Sequence, residues 1–273
     1  MFCTPQLAAR IDRAEGRMCA AMCKAMLADA LALPIAGGIA VYGGDDSPTN
    51  KLIGAAFDDE AVETECLANI EEQFAARGAR LQAEVSTLAS PELHALLASR
   101  GYRPSGFENV LGHPLTTDFE PVAGVEVTPM LPTESSLFAD VLVEAFANPD
   151  TGGVGGDEIP PSEVIRRWVL LTSSMPGFYG MIARVNGQVA GAAALRFDDH
   201  IAQFNGAGTL PRFRRRGVQT ALLRARLAEA KRNGCEIGVV VTQPASKSQQ
   251  NVQREGFSLL YARQLLVKEA PAG

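Results

Sequence analysis

Hydrophobic residues recur at two different spacings along the chain, and together they predict alternating helices and strands. The first run, from Leu7 to Ala25, has helical spacing and follows Thr4-Pro5, a favourable helix start. It predicts one long amphipathic helix that ends at Leu33-Pro34. Shorter apolar runs bounded by Gly, Asp, Ser and Pro predict strands at 39–42, 52–57, 81–87 and 107–111, with helices at 60–77 and 90–100.

The second half of the chain repeats this order of elements. Gly78 corresponds to Gly234 at an offset of 156 residues, and Gly101 corresponds to Gly256 at an offset of 155. Chance similarity is the alternative to a structural duplication, because glycines at helix C-termini are frequent; we favour duplication. The second-half elements are strands at 201–209, 237–242 and 260–268 and helices at 217–232 and 246–255. The Pro- and Thr-rich segment 113–122 is the predicted linker, which gives domains at 1–118 and 122–270.

Composition excludes several classes of protein. The 273 residues are 47% hydrophobic and 21% charged, as in ordinary globular proteins, and no apolar run approaches the roughly 18 residues of a membrane span. Five scattered cysteines and an amino terminus without a signal-like apolar run predict reduced thiols and a cytoplasmic protein. We interpret Cys19 and Cys23, four residues apart on the first helix, as buried thiols rather than half a metal site, so no metal is expected.

The net charge of −6 is distributed unevenly along the chain. Residues 1–120 contain 9 basic and 17 acidic residues, a net of −8, and the remaining residues contain 16 basic and 14 acidic residues, a net of +2. Eight basic residues lie between Arg212 and Arg232, with Glu229 as the single acid there. Because the whole protein is acidic, this indicates a site for a compact, multiply charged anion, and neither a nucleic-acid nor a membrane partner is expected.

The turn after the strand at 201–209 differs most between the two halves. It reads Leu210-Pro211-Arg212-Phe213-Arg214-Arg215-Arg216-Gly217-Val218-Gln219-Thr220, whereas the first half has Asp58-Asp59-Glu60 there. A strand, a glycine turn and a helix start present N–H donors and a positive dipole end to an anion such as phosphate. A solvated basic turn is the alternative, and the position before a helix favours the anion site. The acidic turn of the first half would repel the same ligand, so one site per chain is predicted.

Arg214, Gly217 and their spacing from Pro211 resemble the GNAT superfamily of acyl-CoA-dependent N-acyltransferases, whose pyrophosphate loop reads Arg/Gln-x-x-Gly-x-Gly/Ala. Gln219 replaces the last Gly or Ala of that pattern, and its N–H remains available. The segment 246–257 resembles the next helix of the family and its Gly-Phe corner. The resemblance covers 122–269 well and the first half only in its order of elements, as in a tandem GNAT protein with one degenerate, non-binding lobe. It implies an α/β (α+β) fold of two lobes, each a mixed, mostly antiparallel sheet flanked by helices.

The resemblance also implies acetyl-CoA as co-substrate, with its pantetheine arm between two splayed central strands. The arm is expected to follow the strand edge near Thr209 and Leu210 and to meet Asn251 from the opposite side. The implied coenzyme-binding residues are Thr209, Leu210, Arg214, Arg215, Arg216, Gly217, Val218, Gln219, Thr220 and Asn251.

Amine acylation by a thioester needs an unprotonated amine, a donor to the carbonyl oxygen and an acid for the leaving thiolate. A backbone N–H of Thr209 or Leu210 is the expected donor. The tyrosine that serves as acid in many GNAT enzymes falls at Val252, so Ser248 and Tyr261 are the candidate replacements. An exposed hydroxyl and a packed ring are their respective structural alternatives.

The Gly-rich segment 148–161 is a candidate lid for the acceptor, in which Asp157 and Glu158 are expected to attract a cationic amine. A surface excursion is the alternative. The strand at 201–209 offers Gln203 and Asn205 but no carboxylate, so the amine proton is expected to leave through water or to a loop acid. The leading hypothesis is transfer of an acetyl group from acetyl-CoA to a primary amine of a small molecule or a protein. The alternative is a non-catalytic acyl-CoA-binding or sensor protein.

Overall fold

A computed structural model describes residues 1–44, 47, 49–57, 62–149 and 161–270. The chain forms two compact units, Met1–Val110 with Leu259–Gly273 and Leu111–Ser258. The helices and strands, in chain order, are α1 (Pro5–Met26), β1 (Leu31–Ile35), β2 (Gly38–Tyr42), β3 (Lys51–Ile53), α2 (Thr64–Ala75), β4 (Leu81–Ser86), α3 (Pro91–Ser99), β5 (Arg103–His113), β6 (Glu126–Pro129), α4 (Ser135–Ala147), α5 (Ser162–Ser173), β7 (Phe178–Val185), β8 (Gln188–Asp198), β9 (Ile201–Thr209), α6 (Val218–Arg232), β10 (Ile237–Thr242), α7 (Lys247–Arg254) and β11 (Ser258–Lys268).

The first unit begins with α1, whose start follows the prediction. The Thr4 hydroxyl accepts a hydrogen bond from the Leu7 N–H at 3.2 Å, and Pro5 occupies the first turn. The predicted end at Leu33 is wrong, because the chain leaves the helix after Met26 and turns into β1. Pro34 is accommodated in β1 since this strand lies at the sheet edge, where a missing N–H costs no ladder bond.

The sheet of the first unit has the order β1-β2-β3-β4-β11-β5. β1 and β2, and β2 and β3, pair antiparallel, whereas β3 and β4 pair parallel. β11, the last strand of the chain, pairs antiparallel with β4 from Arg263↔Ser86 to Lys268↔Leu81. The compact units therefore assign this strand to the first unit. The predicted division into 1–118 and 122–270 concerns the two sequence copies and stays a prediction.

Charged side chains meet in the core of the first unit, around the fully buried Arg263. Its Nη2 lies 2.6 Å from Asp12 Oδ1, and its Nη1 lies 2.8 Å from Glu15 Oε2. We call the group formed by Asp12, Glu15, Lys51, Glu84, Glu108 and Arg263 the Arg263 cluster. It joins α1, β3, β4, β5 and β11, so the last strand contributes the central cation.

The sheet of the second unit has the order β10-β9-β8-β7-β6, in which only β9 and β10 pair parallel. α6 and α4 cover opposite faces of the central pair β8 and β9. A Cβ at Gly191 would meet Val218 and Leu222 of α6, and one at Gly208 would meet Ala145 of α4. The two glycines point to opposite faces because Gly191 is paired with Thr209 and Gly208 with Ala192.

The order β3-α2-β4-α3-β5 of the first half recurs as β9-α6-β10-α7-β11 in the second half, as predicted. The glycines that correspond in sequence also share a backbone conformation. Gly78 and Gly234 have φ of +65° and +69°, and Gly101 and Gly256 have φ of +86° and +91°. Each pair follows a helix end, where a left-handed residue is favoured and glycine adopts it without strain.

Candidate functional site

The strands β9 and β10 separate along their length. They pair only at Ile201↔Ile237, Ala202↔Gly238 and Gln203↔Val239, although β9 continues to Thr209. The separation begins near a β-bulge, because Ala194 pairs with Asn205 but Ala193 pairs with Ala207, which leaves Gly206 as an extra residue with φ of +35°. The edge of β9 from residue 207 to 209 is therefore open on the β10 side in the described part of the sheet.

Backbone direction decides which groups face this open edge. The Leu210 N–H donates to the Ala190 carbonyl of β8 at 2.9 Å. Main-chain groups alternate between the two edges of a strand, so those of Thr209 face away from β8. Leu210 is therefore excluded as the donor to a thioester carbonyl, because its N–H is engaged, and Thr209 remains.

The segment that follows is held by three buried apolar side chains. Residues 211–213 form a 3₁₀ turn, and Leu210, Phe213 and Val218 are buried in the core of the second unit. The residues between them adopt two left-handed conformations, Arg215 with φ of +62° and Gly217 with φ of +77°. The exposed residues of this segment are Pro211, Arg212, Arg215, Arg216, Gly217 and Gln219. We call residues 211–220 the arginine loop.

Main-chain N–H donors gather at the end of the arginine loop. The first helical hydrogen bond of α6 runs from the Ala221 N–H to the Gly217 carbonyl at 2.9 Å. Among the described residues no main-chain hydrogen bond engages the N–H groups of residues 215–220. Six donors therefore lie at or just before the first turn of a 15-residue helix, whose positive dipole end favours an anion.

Gly217 brings the backbone close to another part of the second unit. A Cβ at this position would lie 3.0 Å from Val122 Cγ1, and the φ of +77° strains any residue with a side chain. Glycine is therefore favoured at this position for both reasons.

The arginine side chains differ in their contacts. Arg214 donates to the Asn148 carbonyl at the end of α4, and Arg212 lies 3.1 Å from Glu144. The guanidinium of Arg216 lies 5.7 Å from the centre of the Phe213 ring. Arg214, Arg215 and Arg216 thus place three positive charges on the arginine loop.

The prediction that all eight basic residues between 212 and 232 form one anion site is wrong for the helical half. Arg224 pairs with Glu255 at 2.7 Å, Lys231 with Asp118 at 2.7 Å and Arg232 with Glu229 at 2.5 Å. Arg226 is buried. Helical periodicity separates these side chains from the arginine loop, so the positive charge at the loop is smaller than the sequence count indicates.

α7 approaches the start of α6 through one predicted pair. Asn251 Nδ2 donates to Gln219 Oε1 at 2.7 Å, so two of the predicted coenzyme-binding residues lie together. Ser246 caps α7 by accepting from the Gln249 N–H at 3.1 Å, and Ser248 is exposed in the first turn. Val252 is buried in an apolar cluster, so this position supplies no acid.

Tyr261, the other candidate acid, belongs to the first unit. Its hydroxyl is buried and donates to Asp12 Oδ1 at 2.5 Å. Burial, together with the nearby charge of Asp12, raises the pKa of Tyr261 well above its usual value. The one proton of this hydroxyl is already donated, so the assignment of Tyr261 as a general acid is not retained.

The candidates for the amine side of the reaction lie partly outside the described residues. Gln203 is buried, and its Oε1 accepts from Arg196 at 3.2 Å. Asp157 and Glu158 lie outside the described residues, as does the acidic turn at 58–60 of the first half. The described start of α2 nevertheless carries Glu63 and Glu65 where α6 follows arginines.

Two other features are absent from the described residues. They contain no helix that is long and apolar enough to cross a membrane. They also contain no group of three or more His, Cys, Asp or Glu side chains arranged to hold a metal ion.

The model of the acetyltransferase (GNAT) family matches residues 143–257. This segment includes the open edge of β9, the arginine loop and α7. This segment is similar to a GNAT domain. No protein of curated function matches the sequence of the chain. The matched segment is the part of the chain in which the N–H donors and the separated strands occur together, and the match supports acyl transfer as the class of reaction.

Solved structures share the fold of the chain. A GCN5-related N-acetyltransferase from Kribbella flavida is similar with a TM-score of 0.65 and 17% identity, over 94% of this chain and 96% of that one. A tandem GNAT protein from the clavulanic acid biosynthesis pathway has a TM-score of 0.62 and 15% identity, over 86% and 79% of the two chains. A GCN5-related N-acetyltransferase from Sphaerobacter thermophilus has a TM-score of 0.58 and 19% identity, over 77% and 68%. The fold of two tandem GNAT-like lobes is thus confirmed.

Proposed function

We propose that the protein is an N-acetyltransferase that moves an acetyl group from acetyl-CoA to a primary amine of a small molecule or a protein. The observation that carries this proposal is the set of six N–H donors at residues 215–220, which lie at the start of α6 without a main-chain acceptor among the described residues. Their position beside the open edge of β9 is what a diphosphate with a long thioester arm requires.

Affinity for a diphosphate depends on the number of contacts that converge. One exposed anion contact at a helix start stabilises by about 0.3–1 kcal/mol, so a single amide is insufficient. In this proposal the N–H groups of 215–220 bind the diphosphate, and Arg214, Arg215 and Arg216 add charge. Asn251, held by Gln219 at 2.7 Å, contacts the pantetheine arm from α7.

The open edge of β9 then orients the thioester. The N–H of Thr209 donates to the thioester carbonyl oxygen, where negative charge develops as the amine attacks. A C–N bond forms and the C–S bond breaks. The attacking nitrogen loses one proton to water or to a loop carboxylate, and the leaving thiolate takes up a proton to become the CoA thiol. A thiol with a pKa of about 8.5 needs little help from an acid near neutral pH, which fits the buried valine at position 252. Ser248 remains the proposed proton donor, and Asp157 and Glu158 remain the proposed acceptor-binding residues.

The second candidate is a non-catalytic acyl-CoA-binding protein. It is favoured by two observations, that Val252 occupies the position of the family acid and that the Tyr261 hydroxyl is engaged by Asp12. The two candidates differ in turnover. Release of free CoA thiol from acetyl-CoA in the presence of a broad panel of primary amines indicates the enzyme, and tight binding without thiol release for any amine indicates the sensor.

Gly217→Asp tests the proposed coenzyme site, because it adds a negative charge to the residue in the middle of the N–H donors. We expect acetyl-CoA affinity to fall at least about tenfold, measured by isothermal titration calorimetry, because a negative charge would repel the diphosphate. Gly234→Asp is the matched control. Gly234 is also left-handed, with φ of +69°, but lies at the other end of α6, where an added Cβ meets nothing within 4 Å.

The same titration gives the number of sites. The wild-type chain is expected to bind one acetyl-CoA, because acidic residues precede α2 where arginines precede α6. A folded Gly217→Asp variant with wild-type affinity would contradict the placement of the site, and two equivalents per chain would contradict the degenerate first lobe.

A further inference from the structure

Arg226 differs from every other basic residue of α6 in its surroundings. It is buried, with 4% of its surface exposed, and no acidic side chain pairs with it among the described residues. Its Nη1 lies 3.1 Å from the Ala194 carbonyl and 3.5 Å from the Asn205 carbonyl, and its Nε donates to the Leu222 carbonyl at 3.2 Å. Burial lowers its pKa to about 9, because removing the charged guanidinium from water is unfavourable.

Two of the carbonyls that Arg226 binds belong to the residue pair of β8 and β9 next to the bulge. Ala194 and Asn205 are the last residues to pair before the register shifts around Gly206. A bulge takes main-chain groups out of the ladder, and buried carbonyls without a donor are costly. Arg226 supplies donors to one carbonyl from each strand, and its guanidinium lies 4.8 Å from the centre of the Phe204 ring, which fixes its plane.

The bulge determines how β9 continues toward the candidate site. Pairing with β10 ends at Gln203, and the three residues after Gly206 form the open edge that includes Thr209. We propose that Arg226 is a positioning residue, which holds the bulge in one geometry and thereby sets the open edge against which the acyl-pantetheine arm is placed. This inference rests on the proposed function, because it assigns the arm to that edge.

An apolar substitution separates this role from a purely structural one. Arg226→Met removes a buried charge and keeps the side-chain length, so we expect the variant to fold, as checked by thermal unfolding. We expect acetyl-CoA to bind at least tenfold more weakly. Binding of 3′-phosphoadenosine 5′-diphosphate, which lacks the arm and contacts only the arginine loop, is expected to stay within twofold of the wild type.

Two further variants complete the experiment. Arg226→Lys can donate to both carbonyls when protonated, so it is expected to restore part of the acetyl-CoA affinity, and more of it as the pH is lowered. Lys231→Met removes one charge from the same helix and only the exposed contacts of Lys231 with Thr117 and Asp118, so it is expected to bind both ligands like the wild type.

The outcomes are distinguishable. Equal weakening of both ligands by Arg226→Met, or no weakening of either, would overturn the positioning role while leaving the coenzyme site in place. Failure of the wild-type protein to bind either ligand would refute the proposed function and this inference with it. A folded lysine variant with the acetyl-CoA affinity of the methionine variant at every pH would also contradict the role, because the donated hydrogen bonds would then be irrelevant.

Discussion

Four carboxylates and two cations share the interior of the first unit, so the Arg263 cluster carries two more acids than bases. Burial, reinforced by the charge of Glu84, raises the pKa of Glu108 to about 7. Burial also raises the pKa of Asp12, although Arg263 opposes this shift. The core of this unit therefore holds a proton near neutral pH, since the cations available do not balance the acids.

Glu108→Gln is expected to change the pH dependence of stability. The folded wild type keeps a proton on Glu108 that the unfolded chain releases above about pH 4.5, so its free energy of unfolding falls as the pH rises from about 4.5 to about 7. The glutamine variant lacks this fall and is expected to be more stable at pH 8 by about 1–3 kcal/mol. Urea unfolding at several pH values measures it. Glu72→Gln, at an exposed position of α2, is the control, and parallel pH profiles for wild type and Glu108→Gln would count against a buried proton.

Residues of the candidate site were predictable where the signal is local. The arginine loop follows from one strand, one glycine and one helix start, all within 20 residues of sequence. The sequence analysis includes Arg226 among the eight basic residues of the anion site, although its spacing of four and three residues from Leu222 and Leu223 places it on the buried face of the helix. Tyr261 was not predictable, because its surroundings depend on the unit in which the last strand pairs, which no local pattern records.

At the scale of elements, close backbone packing positions α6 against the sheet. Gly191 of β8 lets Val218 and Leu222 approach, and a Cβ there would lie 2.7 Å from the Gly208 carbonyl and 2.8 Å from Val218 Cγ1. Because Val218 is the first residue of α6, the same contact holds the end of the arginine loop. The helix start is therefore placed by a strand glycine outside the loop itself.

Gly191→Ala is expected to destabilise the protein by about 1–3 kcal/mol, because the added methyl group meets backbone and packed side chains that must shift. It is also expected to weaken acetyl-CoA binding. Gly106→Ala is the matched control, since it is also a strand glycine but an added Cβ meets only Leu265, at 3.6 Å, so its effect is expected within about 0.5 kcal/mol. Denaturant unfolding of both variants measures the difference, and equal stabilities would show that the contact is not limiting.

Elements with clear boundaries were predicted with the correct bounds. β9 and β10 match the predicted 201–209 and 237–242, because turn residues flank both strands. α1 was predicted to extend to Leu33, because leucine and alanine continue at helical spacing beyond Met26. α4 and β7 were not assigned from the sequence, although turn residues flank both, Pro132 and Asn148-Pro149 around α4 and Pro176-Gly177 and Asn186-Gly187 around β7.

At the scale of the whole molecule, the compact units do not follow the order of the chain, because the first unit contains Met1–Val110 together with Leu259–Gly273. The strand that follows α7 leaves the second unit and completes the sheet of the first, where six of its residues pair with β4. Arg263 in this strand is also the cation nearest to Asp12 and Glu15. The first unit is therefore assembled from both ends of the sequence, and its folding requires a long-range contact.

A chain that ends at residue 118 tests this arrangement directly. It lacks β11, so β4 loses its antiparallel partner and the carboxylates of the Arg263 cluster keep only Lys51 as a cation. Unpaired buried carboxylates cost about 3–5 kcal/mol when one partner is removed, which is a large part of the stability of a domain.

We therefore expect residues 1–118 alone to lack cooperative thermal unfolding in circular dichroism, and a peptide of residues 257–270 added in excess to restore it. The same peptide with Arg263→Met should restore it poorly, because the strand is present but the cation is absent. The full chain ending at Lys268 is the control, since it keeps β11 and should unfold like the wild type. Cooperative unfolding of residues 1–118 without the peptide would mean that the first copy folds from its own sequence, and the last strand would then be an addition to a finished sheet rather than part of it.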